Sequence, residues 1–344
     1  MIGISVFPGL DYTMKENIKY IEKAHVRGIE YVFTSVHIPN LERERVKKEF
    51  QIILEETKKR NMKLIVDISK DFYSEFDWDK YSIYALRLDF GFNDEEIVEL
   101  SKKYRIQLNA STISKEWIER LVNLGLNKEK ITVCHNYYPR NNTGISLELL
   151  RKRNKFFKET GFEIMAFVPS QSYKRGPIYE GLPTLEVHRH LHPIVGAQEL
   201  FYEGVDIVLL GDSMSSEREL ESLGAIVKDE WFIPIIVSDE VKEKYMNYLS
   251  ATHKQRLDFA EDAIRSEMLT MEDKKEVNIF NTINRSKGSI TLDNKHYGRY
   301  SGSLQITKKD LPADYRVNVL GNTCDDGRLV DLIKEGEKFK FYIL

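Results

Sequence analysis

The sequence predicts an α/β protein with two domains: a (β/α)₈ barrel over residues 1–229 and a small β-rich domain over residues 230–344. Its 344 residues exceed one average domain and are too few for three. Short apolar runs alternate with amphipathic segments through the first two thirds of the chain. After residue 229 this alternation gives way to short strand patterns separated by turn residues.

Eight apolar runs in the first part are rich in Ile, Val and Leu, as is typical of parallel strands buried on both faces. The predicted strands are Ile2–Phe7, Ile29–Ser35, Lys63–Ser69, Ile83–Phe90, Arg105–Ala110, Ile131–Asn136, Glu163–Val168 and Val205–Leu210. An open doubly wound sheet is the structural alternative. Against it, the residues after the first strand, Pro8 to Asp11, lack the GxGxxG pattern of a dinucleotide site.

Helix signals stand between these runs. Capping-box spacing marks three helix starts, at Thr13 with Glu16, Asn93 with Glu96 and Ser216 with Glu219. Glycines stand where three helices should end, at Gly28, Gly125 and Gly161. A long loop is predicted from Pro169 to about Pro193, before a helix near Ala197–Tyr202. Eight β-then-α units in this length favour the (β/α)₈ barrel.

The second part of the chain begins with a strand pattern at Phe232–Val237, and its segment Tyr245–Ala263 is predicted to be partly helical. Short strands then follow at Ser289–Leu292, Ser303–Ile306, Arg316–Leu320, Leu329–Ile333 and Lys338–Ile343. Turn pairs such as Asp326-Gly327 separate them. The pattern indicates a compact β domain.

Composition excludes several classes of protein. The hydrophobic fraction is 42%, the charged fraction is 31% and the net charge is −3, so a nucleic-acid binder with a basic surface is not expected. Cys134 and Cys324 show no metal-site spacing and are expected to be reduced thiols. The first residues lack a basic segment followed by an apolar one, and no apolar stretch has membrane-spanning length. We therefore expect a cytoplasmic protein without membrane contact.

The active site of such a barrel lies at the C-terminal ends of its strands. Carboxylates at or just beyond these ends are candidates for acid–base catalysis: Asp67, Asp89, Glu186 and Asp212. Asp89 is the first choice among them, because it follows an otherwise apolar strand and a charge there needs partners or a function. Asp212 is the weakest, since it is equally explained as a helix cap. The alternative to a functional role is that Arg87 is simply the ion-pair partner of Asp89.

Polar and aromatic residues at the same edge suit a phosphorylated sugar. The predicted substrate-binding residues are Arg87, Asn109, His135, Asn136, Tyr137, Arg140, His37, His188 and Arg189. For an anionic group the candidate cations also include Lys174 and Arg175, because a guanidinium matches a phosphate bidentately.

These residues are also compatible with three other functions. A metal-dependent isomerase would need His188, His190 and His192 to bind a metal, but no fourth ligand stands at a suitable spacing, so neither a metal nor a cofactor is predicted. A Schiff-base aldolase would need a strand-end lysine, and Lys70 is the nearest. The third possibility is a non-catalytic sugar-binding protein.

Multi-residue blocks along the whole chain resemble one bacterial family, the 6-phospho-N-acetylmuramidases (MupG-like), some of which were once labelled putative outer surface proteins. The resemblance lies in Val6–Pro8, Phe33–Pro39, Leu86–Gly91, His135–Arg140, Thr143-Gly144, Gly181–Glu186, Leu210–Asp212, Gly288–Asn294 and Tyr297–Gly302. It implies a barrel followed by a cyclophilin-like β domain. It also implies an intracellular glycosidase that cleaves N-acetylmuramic acid 6-phosphate from N-acetylglucosamine in cell-wall recycling.

Hydrolysis of this kind uses one carboxylic acid to protonate the leaving oxygen and a second group as nucleophile or base. A third route is attack by the substrate's own N-acetyl group. The sequence leaves these routes open, together with the oligomeric state. The expected partner is a small phosphorylated disaccharide.

Arg140 generates the first testable prediction. If its guanidinium binds the 6-phosphate, Arg140→Ala should lower kcat/KM for the phosphorylated disaccharide by about tenfold or more, and far less for the dephosphorylated one. Steady-state kinetics on both substrates measures this. Equal losses on the two substrates would remove Arg140 from phosphate recognition.

Overall fold

The computed structural model describes residues 1–36, 42–267 and 277–344. The chain divides into two compact units, Met1–Ala225 and Ile226–Leu344. The division falls close to the boundary predicted between residues 229 and 230. The predicted substrate-binding residue His37 lies outside the described residues.

Within the described residues, eight parallel strands of the first unit close into a barrel in chain order. They are β1 (Ile2–Ser5), β2 (Tyr31–Ser35), β3 (Lys63–Ile68), β4 (Ala85–Leu88), β5 (Ile106–Asn109), β6 (Ile131–Cys134), β7 (Glu163–Val168) and β8 (Ile207–Leu210). The predicted (β/α)₈ barrel is confirmed. Several strands are shorter than the apolar runs that predicted them, because the ends of a run can be buried under loops without joining the ladder.

Helices follow the strands around the barrel. They are α1 (Met14–His25), α2 (Arg43–Lys59), α3 (Lys70–Tyr73), α4 (Asp94–Lys103), α5 (Lys115–Asn123), α6 (Leu147–Thr160), α7 (Pro193–Tyr202) and α8 (Glu217–Gly224). The predicted capping boxes of α1, α4 and α8 are all present. Gly161 ends α6 with φ 86°, a left-handed conformation that glycine adopts without a Cβ clash.

The barrel is filled by inward-facing side chains and is therefore a packed core. Phe33 lies edge-on to Phe7 and Phe167, with ring centroids 6.3 and 5.3 Å away, and all three rings are buried. Gly3 of β1 lies opposite Tyr31 of β2 and Leu209 of β8 in the strand register, so the neighbouring side chains fill the space beside it. Phe7, Phe33 and Phe167 support the edge of the barrel where the strands end.

In the second unit, a mixed sheet of seven strands forms within the described residues. The strands are β9 (Glu230–Val237), β10 (His253–Lys254), β11 (Ala263–Arg265), β12 (Ser289–Asp293), β13 (Leu304–Thr307), β14 (Val317–Thr323) and β15 (Lys338–Ile343), and helix α9 (Asp239–Leu249) follows β9. Their order is β10-β15-β9-β14-β12-β13-β11, and the β9–β15 pair is parallel. The predicted β-rich domain is confirmed as a second sheet.

The predicted strand at Leu329–Ile333 is wrong, since this segment forms turns. Leu329, Val330 and Ile333 of this segment are nevertheless buried. The Asp325 carboxylate accepts hydrogen bonds from the backbone N–H groups of Gly327 and Leu329, which folds the chain back on itself. An apolar pattern reports burial, and here burial is achieved without strand pairing.

Gly3 generates a prediction about stability. A Cβ at this position would lie 2.5 Å from Leu209 Cδ2 and 2.9 Å from the Tyr31 backbone oxygen, closer than packed atoms tolerate. We expect Gly3→Ala to lower the free energy of unfolding by about 1–3 kcal/mol, measured by denaturant titration. Adding Leu209→Val should recover only part of this loss, because the clash with backbone remains. Unchanged stability of Gly3→Ala would contradict the prediction.

Candidate active site

Four predicted site residues meet at the mouth of the barrel, meaning the C-terminal ends of β1 to β8 and the segments that follow them. Asp67 of β3 and Arg87 of β4 are paired in the strand register, so their side chains share the inner face. The Arg87 Nη1 atom donates to Asp67 Oδ1 and lies 3.5 Å from Asp89 Oδ1. Its Nη2 atom donates to Asn136 Oδ1 over 2.7 Å. One guanidinium therefore joins two carboxylates and an amide.

Arg87 and Asp67 are both buried, with side chains 8% exposed, whereas the Asp89 side chain is 32% exposed. Burial disfavours the charge of Arg87, but the nearby acidic groups, Asp67 first among them, together outweigh this effect, and the pKa of Arg87 is raised above its ordinary value. The guanidinium therefore stays charged. Of the two carboxylates, that of Asp89 is the more exposed to solvent.

Hydrogen bonds extend this cluster to β5. Asn136 Nδ2 donates to Ser111 Oγ over 3.3 Å, and Ser111 Oγ donates to Asn109 Oδ1 over 2.6 Å. The Ser111 backbone N–H also donates to Asn109 Oδ1, so the amide of Asn109 fixes the turn that follows β5. Asn109 and Asn136 thus position their neighbours as well as lining the mouth.

An aromatic surface with a cation lies beside the cluster. The Tyr137 ring meets Phe167 edge-on at 5.1 Å. The Arg175 guanidinium carbon lies 4.5 Å from the Phe7 ring centroid and 5.0 Å from that of Tyr137. Arg175 Nη1 also donates to the Tyr137 hydroxyl over 3.3 Å. Stacking of this kind is a cation–π interaction, and it fixes the plane of the guanidinium.

Asp212 is fully buried and organises the loop after β7. One carboxylate oxygen accepts the backbone N–H of Ser170 over 2.8 Å, and the other accepts that of Arg175 over 2.7 Å. Burial raises the pKa of Asp212 to about 6, although the backbone donors of Arg175, Ser170 and Leu182 oppose the shift. Its oxygens thus serve the loop that carries Arg175.

Glu186 and Arg189 form a second internal clamp. The two Glu186 oxygens accept from Arg189 Nε and Nη2 and from the backbone N–H groups of Asn142 and Gly144, at 2.6 to 2.8 Å. The hydrogen bonds with Arg189 are the main reason why the pKa of Glu186 falls to about 2. Arg189 is buried and also donates to backbone oxygens, among them that of Tyr138. Both side chains are occupied within the protein.

The two predicted histidines of the described residues lie behind the mouth and not in it. His135 is buried against α6, where its Nε2 atom lies 2.8 Å from Asn154 Oδ1, and burial lowers its pKa to about 4. His188 is also buried, with Nε2 2.6 Å from Glu199 Oε2. Alternation along the strand explains why His135 points away from the mouth. Cys134 lies on the inner face, so the next residue faces the helices.

The structure thus divides the predicted site residues of the described chain into those at the mouth and those elsewhere. It brings Asp67, Arg87, Asp89, Asn109, Asn136 and Tyr137 together at the mouth. It places Glu186, Asp212, Arg189, His135 and His188 in internal contacts, while Arg140 is exposed. Sequence reasoning missed Asn154 and Glu199, the helix residues that hold the two histidines, since strand-end patterns carry no signal for them. Among the described residues, no group of three or more His, Cys, Asp or Glu side chains is arranged to hold a metal ion.

Comparison with known protein families shows to which family this chain belongs. The family described as "6-phospho-N-acetylmuramidase, N-terminal" matches residues 2–225, and "6-phospho-N-acetylmuramidase, C-terminal" matches residues 231–342. The chain belongs to the 6-phospho-N-acetylmuramidase family. The family is one of glycosidases, so the predicted resemblance and the predicted class of enzyme are confirmed.

Two solved structures resemble the whole chain. A conserved protein of unknown function from Enterococcus faecalis is 34% identical with a TM-score of 0.84, and the match covers 100% of this chain and 96% of that one. An uncharacterized B. cereus protein is 28% identical with a TM-score of 0.79 over 99% of each chain. No curated protein matches the sequence. In the described part of this glycosidase, no helix has the length and apolarity needed to cross a membrane.

His135 generates a prediction about pH. Its ordinary pKa is 6.5 and its folded value is about 4, so the unfolded chain takes up a proton in this interval and the folded protein does not. Stability should therefore fall as the pH drops from 6.5 to 4, by about 3 kcal/mol from this residue. His135→Gln should flatten the fall, as measured by urea unfolding at a series of pH values. An unchanged pH dependence in the variant would contradict the assignment.

Proposed function

We propose that this glycosidase hydrolyses the bond between N-acetylmuramic acid 6-phosphate and N-acetylglucosamine, within the cytoplasm of a bacterium that recycles its cell wall. The family supports the reaction class. One observation of the site carries the proposal: Asp67 and Asp89 contact the same Arg87 nitrogen at the mouth of the barrel. The substrate is a small phosphorylated disaccharide, and no nucleic acid or membrane takes part.

Asp89 is the proposed residue that meets the substrate. Its side chain is the more exposed of the two carboxylates, and Arg87 lies beside it. Asp67 is buried against Arg87 and supplies the second carboxylate of the pair. Arg87 contacts both carboxylates and so fixes their positions relative to each other.

The spacing of Asp67 and Asp89 favours one group of hydrolysis mechanisms. Oδ1 of Asp67 and Oδ1 of Asp89 both lie near Arg87 Nη1, the first within a short hydrogen bond and the second at 3.5 Å. The distance between these two oxygens therefore cannot exceed the sum of the two contact distances. Inverting enzymes hold their carboxyl groups about 6.5–9.5 Å apart to admit a water, and retaining enzymes about 5–5.5 Å apart. We therefore propose retention of configuration, by a covalent intermediate or by attack of the substrate's N-acetyl group.

Glu186 and Asp212 receive a different role in this proposal. Each was a candidate acid or base, but the oxygens of each are occupied by backbone N–H groups, and those of Glu186 also by Arg189. We assign them to the positioning of the loops after β6 and β7. Lys70, the nearest candidate for a Schiff base, is ion-paired with Glu96 over 2.6 Å, and an aldolase gains no support.

Asp89→Asn tests this proposal. The wild type should cleave the 6-phosphorylated disaccharide of N-acetylmuramic acid and N-acetylglucosamine, and the dephosphorylated disaccharide far more slowly. Asp89→Asn removes the carboxylate charge with little change in size, and kcat should fall by about 10³-fold or more. Chromatography of the released sugars measures both rates.

Asp239→Asn is the matched control, because this aspartate lies in the second unit with a side chain 94% exposed. Full activity of Asp89→Asn would remove that residue from the reaction. Failure of the wild type to cleave either disaccharide would overturn the proposed substrate. Proton NMR of the first product formed gives the anomer, and an inverted anomer would refute the proposed retention.

A further inference from the structure

We propose that Arg175 is the specificity-determining residue of the site and anchors an anionic substituent of the sugar, a phosphate or a carboxylate. The inference rests on the proposed function, and it deepens that proposal by naming the residue that selects charged sugars. Arg175 lies in the long loop after β7, one of the segments that follow the strands at the mouth of the barrel.

The Arg175 guanidinium is held in place by contacts within the protein. Its guanidinium lies over the rings of Phe7 and Tyr137, and Nη1 donates to the Tyr137 hydroxyl. Phe7 follows β1 and Tyr137 follows β6, so the stack spans the mouth between elements on different sides of the barrel. A planar guanidinium fixed in this way loses little freedom when it binds a planar or tetrahedral anion.

The charge of Arg175 is only partly compensated, by a Coulomb interaction with the buried Asp212 carboxylate. Among the described residues, no carboxylate forms an ion pair with its guanidinium, and Nε is buried without a hydrogen-bond partner. The residue as a whole is only half-buried, so part of it remains open to a ligand. A partly desolvated cation with unused donors binds an anion more strongly than one immersed in water.

Three of the other predicted cations are placed differently. Arg87 is occupied by Asp67 and Asn136, and Arg189 by Glu186 and backbone oxygens. The Arg140 residue is exposed, so solvent and salt screen its charge. Arg175 therefore combines a half-buried position with a fixed orientation and a guanidinium that forms no ion pair among the described residues.

Asp212 is the positioning residue for this anchor. Its carboxylate accepts the Arg175 backbone N–H over 2.7 Å and the Ser170 backbone N–H over 2.8 Å. In Asp212→Asn one of these acceptors becomes an NH₂ group that opposes a backbone N–H. The loop should shift, and with it the guanidinium. This explains why a buried carboxylate stands at the end of β8 without reaching the mouth.

Calorimetric binding of four monosaccharides tests the anchor without relying on hydrolysis. The probes are N-acetylmuramic acid 6-phosphate, N-acetylmuramic acid, N-acetylglucosamine 6-phosphate and N-acetylglucosamine. The proteins are the wild type, Arg175→Met, Arg175→Lys and the control Arg120→Gln, whose residue is ion-paired with Asp94 on the outer helices. We expect Arg175→Met to weaken binding of N-acetylmuramic acid 6-phosphate by about tenfold or more, and Arg175→Lys to weaken it less.

The two remaining anionic probes identify the group that is bound. A loss confined to N-acetylglucosamine 6-phosphate assigns the phosphate to Arg175, and a loss confined to N-acetylmuramic acid assigns the carboxylate. Binding of neutral N-acetylglucosamine should not change. The inference is overturned if all four probes weaken equally, if none does, or if the wild type binds no anionic sugar. If Arg175→Met does not fold, the comparison of Arg175→Lys with the wild type decides in the same way.

Kinetics separates this inference from the proposed function. If wild type binds the phosphorylated sugar through Arg175 but cleaves no disaccharide, the proposed reaction fails and the anchor stands. If the disaccharide is cleaved, Asp212→Asn should raise KM by about tenfold with a smaller change in kcat, because it displaces the anchor and not the carboxylate pair. A loss in kcat alone would refute the positioning role of Asp212.

Discussion

The candidate site depends on one interaction, the contact of the buried Arg87 guanidinium with the Asp67 carboxylate. Removing two charges from water is costly, and only close pairing with further hydrogen bonds offsets that cost. Here Asn136 supplies another acceptor, and Asp89 lies within reach of the same nitrogen. The pairing joins β3, β4 and the segment after β6, so the strands that build the barrel also fix the distance between the two carboxylates.

Two further carboxylates, the buried Asp212 and the partly exposed Glu186, shape the loops above the barrel. Asp212 holds the start of the loop after β7, and Glu186 with Arg189 ties the end of that loop to the segment after β6. Loops of this length gain order only when their backbone groups find partners. The mouth of the barrel therefore contains acidic residues of two kinds: the pair in contact with Arg87, which we propose to be catalytic, and the carboxylates that hold the backbone of the loop carrying Arg175.

The (β/α)₈ architecture was predictable because its signals are local. Eight buried strands need eight apolar runs, and the caps at Thr13, Asn93 and Ser216 mark where helices begin. The sheet of the second unit was predicted less completely. Its strands at residues 253–254 and 263–265 are too short to leave a pattern, and Leu329–Ile333 is apolar because it is buried, although it forms turns.

The sequence by itself determined the barrel, the edge at which the site lies and most of the residues available there, because alternation along a strand assigns each side chain to a face. Only the tertiary structure decided what those residues touch. His135 and His188 face the helices, Glu186 and Asp212 bind backbone N–H groups, and Arg175 stacks on two rings. These contacts join residues distant in the chain, and no local pattern encodes which partner a buried charge meets.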